Sequence, residues 1–159
     1  MSKVYIFVWL FLISQAFNAQ QKQSEKDIKK VIVTFFDALH KGDSTLMKST
    51  LHKDIKIQTT NNNKKGKAIL TTDSKTKLLA SVANKNPSSI YLEKLLSFDI
   101  KVDGNLASVW TPYEFYFNGN FSHCGANSFQ LFNNNGNWQI IYLVDMRRRQ
   151  NCKALKKEK

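Results

Sequence analysis

The chain has 159 residues, with 24 lysines and arginines against 12 acidic residues, a formal net charge of +12 and only two cysteines. That length allows one domain with a real core, and the two cysteines and three histidines form no metal-ligand cluster. A basic balance can serve nucleic acid, an acidic polymer or an anionic membrane. Here, however, the lysines are dispersed and only Arg147, Arg148 and Arg149 cluster, so a solvated surface is expected and nucleic acid is not.

Lys3 precedes the apolar run Val4–Ile13, and small residues among Ala16–Ala19 precede Gln20. This is the pattern of a secretory signal peptide over residues 1–19, with cleavage expected after Ala19 and an uncleaved anchor as the alternative. It implies export to a periplasmic or extracellular space, with no membrane association once the leader is removed. In such a compartment Cys124 and Cys152 are expected to pair, two free thiols being the alternative. Closing a loop of roughly thirty residues would stabilise the fold by about 3–4 kcal/mol. One domain is expected over 20–152, followed by a loose basic tail over 153–159.

Residues 20–24 read as a short disordered leader. A helix is predicted from Ser24, with Asp27 three residues on as in a capping box. Ile28, Val31, Ile32, Phe35, Phe36 and Leu39 mark its buried face, and Gly42 ends it. Asp43 or Ser44 caps a second helix carrying Leu46, Met47 and Leu51. DIKIQTT (54–60) alternates as a half-buried strand, NNNKKG turns, and KAILTT returns. Asp73 or Ser74 caps a third helix, KTKLLASVA, which ends before Pro87. From Ser89 onward the pattern is strand: IYLEKLLSFDIKV, then LASVWTPYEFYF after Asp103-Gly104, then a hairpin at Asn118-Gly119. Pro112 belongs at a sheet edge or a bulge. The class is α+β: two to three N-terminal helices packed on a strongly curved antiparallel sheet.

Phe121–Cys152 concentrates the residues capable of specific chemistry. Taking NNNG as a four-residue loop pairs Phe132 with Asn137. Asn127 then faces Tyr142 and His123 faces Met146 on one side of the sheet, with Cys124 and Asp145 on the other.

The order helix, short helix, strand, helix and long strands ending in WQIIYL resembles the nuclear-transport-factor-like superfamily, over about residues 24–152. Its members include the ketosteroid isomerases and SnoaL-like cyclases, on a cone-shaped fold. HCG, FQLF, W-x-I and D-x-R-R before a cysteine resemble its secreted, lumazine-binding branch. Thr commonly stands in that branch between the Asp and the arginines, where this chain has Met146. The resemblance implies a cone with a cavity and a homodimer through the outer sheet face. It implies no particular reaction.

His123 at a cone mouth suits a general base or acid, or a structural histidine. Asp145 has Arg147, or alternatively Arg148, as an ion-pair partner, read as fastening. Glu114 shares strand parity with Trp110 and Tyr116. Pointing inward it would be an isomerase-type base; pointing outward, a solvated residue. Phe35, Trp110, Tyr116, His123, Asn127 and Tyr142 are the expected ligand-binding residues. No nucleophile elbow, phosphate loop, metal-ligand cluster or dinucleotide fingerprint is present, so no cofactor or metal is expected. The leading expectation is an exported domain binding a small planar or hydrophobic ligand, without assigned catalysis. An isomerase or cyclase using Glu114 or His123, and a protein-interaction module using the outer sheet face, are the alternatives.

Overall fold

The computed structural model describes residues 2–152, with side chains described from Gln20 onward. The expected leader, residues 1–19, and the basic tail, residues 153–159, therefore lie outside the residues whose side chains are described. Among the described residues no helix is long and apolar enough to cross a membrane.

Helix α1 spans Ser2–Lys41. Ser24 does not start it, contrary to the sequence reading, and residues 20–24 are helical. The Ser24 hydroxyl donates back to Gln20 O (3.1 Å), and Asp27 accepts from Gln23 Nε2 (3.0 Å). Both side chains thus bond to the turn before them instead of capping free N–H groups. The helix ends as expected, with Gly42 at φ 73° and Asp43 N–H donating to Ala38 O (2.9 Å).

Asp43 caps α2 (Ser44–Thr50) by accepting from Leu46 N–H at 2.8 Å. Ser74 caps α3 (Lys75–Ala83) through Lys77 N–H at 3.1 Å. The strands are β1 (Leu51–Asn62), β2 (Ala68–Asp73), β3 (Tyr91–Leu95), β4 (Asp99–Asp103), β5 (Leu106–Phe117), β6 (Asn120–Asn134) and β7 (Asn137–Arg148). They form one curled sheet in the order β2-β1-β7-β6-β5-β3, with β4 also paired to β5.

The sheet is mixed, not wholly antiparallel, because β1 and β7 run parallel. These strands come from opposite ends of the domain. No hairpin joins them, so no tight turn forces them antiparallel. The helices pack on the concave side. Ile28 and Ile32 are fully buried, and Phe35 and Phe36 meet Phe129 edge to face at 6.1 Å between centroids.

Pro112 sits inside β5, where its partner strand is interrupted. β3 stops opposite Tyr113 and β4 starts opposite Trp110. Pro112 O accepts from Leu96 N–H (2.8 Å) in the gap. The missing proline N–H points the same way, so no ladder bond is lost, and the expected single strand from Ile90 breaks in two.

Register is where the sequence reading fails. Asn135 (φ 52°) and Gly136 (φ 92°) form a two-residue left-handed turn, so Asn134 pairs with Asn137. A bulge then leaves Ile141 unpaired between Leu131↔Ile140 and Gln130↔Tyr142. Beyond it Asn127 faces Asp145 rather than Tyr142, and Gly125 faces Arg147. The three-residue offset is odd, so the distal half of β7 presents the opposite face from the one expected.

Candidate functional site

The curled sheet and helices α1 and α3 enclose a cavity of about 530 Å³. Its apolar wall comes from Phe35, Phe36 and Leu39 on α1 and from Tyr91, Tyr113, Phe115 and Phe117 on β3 and β5. Alternation along the strands adds Glu93, His123, Asn127, Asp145 and Arg147 to the same face.

At the centre, Asn127 Nδ2 donates to Glu93 Oε1 at 2.7 Å. Glu93 keeps accessible surface where it borders the cavity, but packed protein separates it from most bulk water. That burial raises its pKa from 4.5 to about 7, with Asp145 adding to the rise and the Asn127 bond and Arg147 opposing it. Its strand is held to α1 by Glu93 N–H, which donates to His40 Nε2 at 2.8 Å. His40 therefore acts as an acceptor, and burial, its largest influence, lowers its pKa.

Asp145 is buried at 8% exposure and satisfied from two sides. Thr59 Oγ1 donates to its Oδ1 at 2.6 Å, and Arg147 Nε donates to its Oδ2. The Tyr113 hydroxyl donates to Met146 O at 3.3 Å. Burial first, then Glu93 and Asp145, push its pKa up, so the phenol stays protonated. Tyr113 can cross the neighbouring strand only because residue 125 is glycine. A Cβ there would meet Met146 O at 1.6 Å and Tyr113 Cε1 at 2.9 Å. His123 packs against Phe115 (4.9 Å) and edge-on to Tyr113 (5.8 Å), with Nδ1 3.1 Å from Ser122 Oγ. Burial and, next, Arg147 lower its pKa, which favours neutral imidazole.

An aromatic cone with an inward carboxyl cluster is a pattern that known folds can be compared with. The family described as "Putative lumazine-binding" matches residues 23–144. The chain belongs to that family. A search of curated proteins found no significant match. Among solved structures, an "ntf2-like protein with a cystatin-like fold" from Novosphingobium aromaticivorans is 12% identical. It covers 88% of this chain and 93% of its own, at a TM-score of 0.66. A protein from Streptomyces avermitilis described as "a putative dehydratase from the NTF2-like family" is 11% identical, covering 80% and 98% at a TM-score of 0.63. An "ntf2-like protein of unknown function" from Shewanella baltica is 17% identical, covering 79% and 94% at 0.56. At these identities the likeness concerns the fold: this lumazine-binding-family chain has the nuclear-transport-factor-like cone.

Of the residues singled out from sequence, Phe35, His123 and Asn127 line the cavity of this family member. Trp110, Tyr116 and Tyr142 do not. Trp110 is half exposed (51%) on the convex side. Tyr116 donates to Glu114 Oε2 (3.0 Å), and Tyr142, turned over by the bulge at Ile141, donates to Gln58 Oε1 (2.5 Å).

Glu114 alternates with the inward Tyr113 and Phe115, so it lies on the convex face beside Cys124. It is nevertheless buried (7%) and is neither an inward base nor a solvated residue. Asp145 and Arg147 form the expected ion pair, but on the cavity side, with His123 instead of opposite it. Arg148 lies on the other face, opposite Cys124. Cys124 and Cys152 are joined by a disulfide, with Cα atoms 5.8 Å apart.

The sequence reading missed Glu93, Tyr113 and His40. The available signal was faint: Glu93 shares strand parity with Tyr91 and Leu95, an acid on an otherwise apolar row. Among the described residues no cluster of three or more His, Cys, Asp or Glu side chains is arranged to hold a metal.

Proposed function

We propose that the chain is an exported domain that binds a small planar or hydrophobic ligand inside its cone. The carrying observation is the cavity of about 530 Å³, walled by Phe35, Tyr91, Tyr113 and Phe115 with a few polar tips at one side. That size and lining suit a ligand site, and the family's description names a planar heterocycle. Export is supported by the apolar leader and by the Cys124–Cys152 bridge, which persists in oxidising compartments. A homodimer is supported by exposed apolar residues on the convex side, Trp110 at 51% and Leu92 at 47%, which a second copy would cover.

Two measurements test the binding reading. Mass spectrometry of the protein purified from the exported fraction is expected to find a small aromatic molecule in stoichiometric amount. A panel of planar heterocycles is expected to raise the melting temperature saturably. A folded protein carrying nothing and shifted by none of them would overturn the proposal. Light scattering at tens of micromolar tests the dimer, and a monomeric mass would refute it.

A second reading, a proton-transfer enzyme of the isomerase or cyclase type, is favoured by Glu93. A cavity-facing carboxyl with a pKa of about 7 is matched to taking and returning a proton at neutral pH. His123 borders the same space and Glu114 does not. Turnover of a carbonyl substrate that Glu93→Gln abolishes without loss of binding would select this reading. Turnover unchanged in Glu93→Gln would reject it.

A further inference from the structure

The cavity opens beside a groove with which it shares Ser122, His123 and Arg147. The groove is lined by Lys64, Arg147, Arg148 and Arg149 and by the amides of Asn61, Asn62 and Asn63, with no acidic side chain among the described residues. Register brings these groups together, because the parallel pairing of β1 with β7 sets Asn61 beside Arg147. The disulfide to Cys152 then ties the end of the arginine run back to β6.

The charges here are unequally committed. Arg147 is engaged by Asp145, and Glu93 is held largely by Asn127 and by its own protonation near neutral pH. Arg148 is different. Its Nε is withdrawn from solvent and makes no hydrogen bond among the described residues. That nitrogen is closed to a ligand in the groove, so Arg148 offers an anion only its terminal N–H groups.

We infer that the cone's ligand carries an anionic group, phosphate or carboxylate, that seats in this groove against Arg148, Arg149 and Lys64 while its planar part enters the aromatic cavity. This rests on the cavity-binding reading and adds the ligand's charge to it. Guanidinium groups suit both oxyanions, since their N–H fork matches paired oxygens.

A matched pair of fluorescent probes tests it on the mature, disulfide-bonded protein: anilinonaphthalene sulfonate and its uncharged parent, phenylnaphthylamine. The two are expected to compete for one site, with the anion bound about tenfold more tightly at low salt, as a charge-assisted bond implies. The exposed double variant Lys64→Gln/Arg149→Gln, and separately Arg148→Gln, are expected to erode that preference several-fold while leaving the neutral probe's affinity unchanged. The double variant keeps the test sound if Arg148→Gln folds poorly. Displacement by naphthyl phosphate against naphthoate then distinguishes the two oxyanions. Equal affinity for the competing probes would overturn the anion site and leave the cavity reading standing. A preference that survives in both variants would overturn its assignment to these residues. Binding of neither probe would overturn the cavity reading, and this inference with it.

Discussion

Replacing Glu93 with glutamine separates electrostatics from shape, because the amide keeps the side chain's size and an oxygen for Asn127 Nδ2 to bond. In the folded protein the carboxyl's pKa is raised from 4.5 to about 7. Between those values the native state holds a proton that the unfolded chain has lost. The stability slope, proportional to protons bound unfolded minus folded, is therefore negative there. Stability from this group is present below about pH 4.5 and is lost as pH rises towards and through 7. At about 1.4 kcal/mol per unit the full loss is about 3.5 kcal/mol. Urea denaturation of both proteins at pH 5, 6, 7 and 8 isolates it, since other titrating groups cancel in the difference. The glutamine variant is expected to gain on the native protein steadily across this range and to be the more stable at pH 8. Parallel pH profiles, or a variant less stable at pH 8, would refute a desolvated, half-protonated Glu93.

Three further predictions follow from the same geometry. Gly125→Ala is expected to cost about 3 kcal/mol or more by urea denaturation, because its Cβ would overlap Met146 O and press on Tyr113. Reduction, or Cys152→Ser, is expected to lower stability by about 3.5 kcal/mol from the 28-residue separation of the bridge, with free-thiol titration of the denatured native protein finding none. His40 should titrate below 6.5 by NMR, since burial lowers its pKa and Nε2 accepts from Glu93 N–H. The sign is opposite to that of Glu93: the unfolded state takes the proton first, so stability from His40 is present above 6.5 and lost on acidification. His40→Ala should flatten that acid limb.

What could be read from the sequence was what neighbours along the chain decide. The stripe Ile28, Ile32, Phe35, Phe36 and the caps at Asp43 and Ser74 depend on spacings of three or four residues, which helix geometry fixes. Asp145 and Arg147 are two apart on one strand, so their pairing holds whichever way the strand faces. Ser24 shows the limit of such rules. A serine before an amphipathic run caps only if the helix begins there, and this one continues through from Ser2.

The site itself was not legible for the same reason. A strand's faces alternate residue by residue, so a single unpaired residue reverses everything beyond it. Ile141 does this between β6 and β7, and Ser122 does it between β5 and β6, where Phe115 pairs with His123 but Tyr116 pairs with Phe121. Neither carries a sequence mark: Ile141 sits in an unbroken apolar run and Ser122 beside a plausible turn. The extra residue at Ile141 turns Asp145 and Arg147 inward and Tyr142 outward, changing an expected fastening into part of the cavity wall. Glu93 followed from this only in three dimensions. Its hydrogen-bond partner lies 34 residues along the chain, and its proton affinity is set by residues on β3, β6 and β7 together. Bulges that bend the sheet into a cone thus also select which polar groups reach its interior. The curvature and the chemistry of this site have one cause.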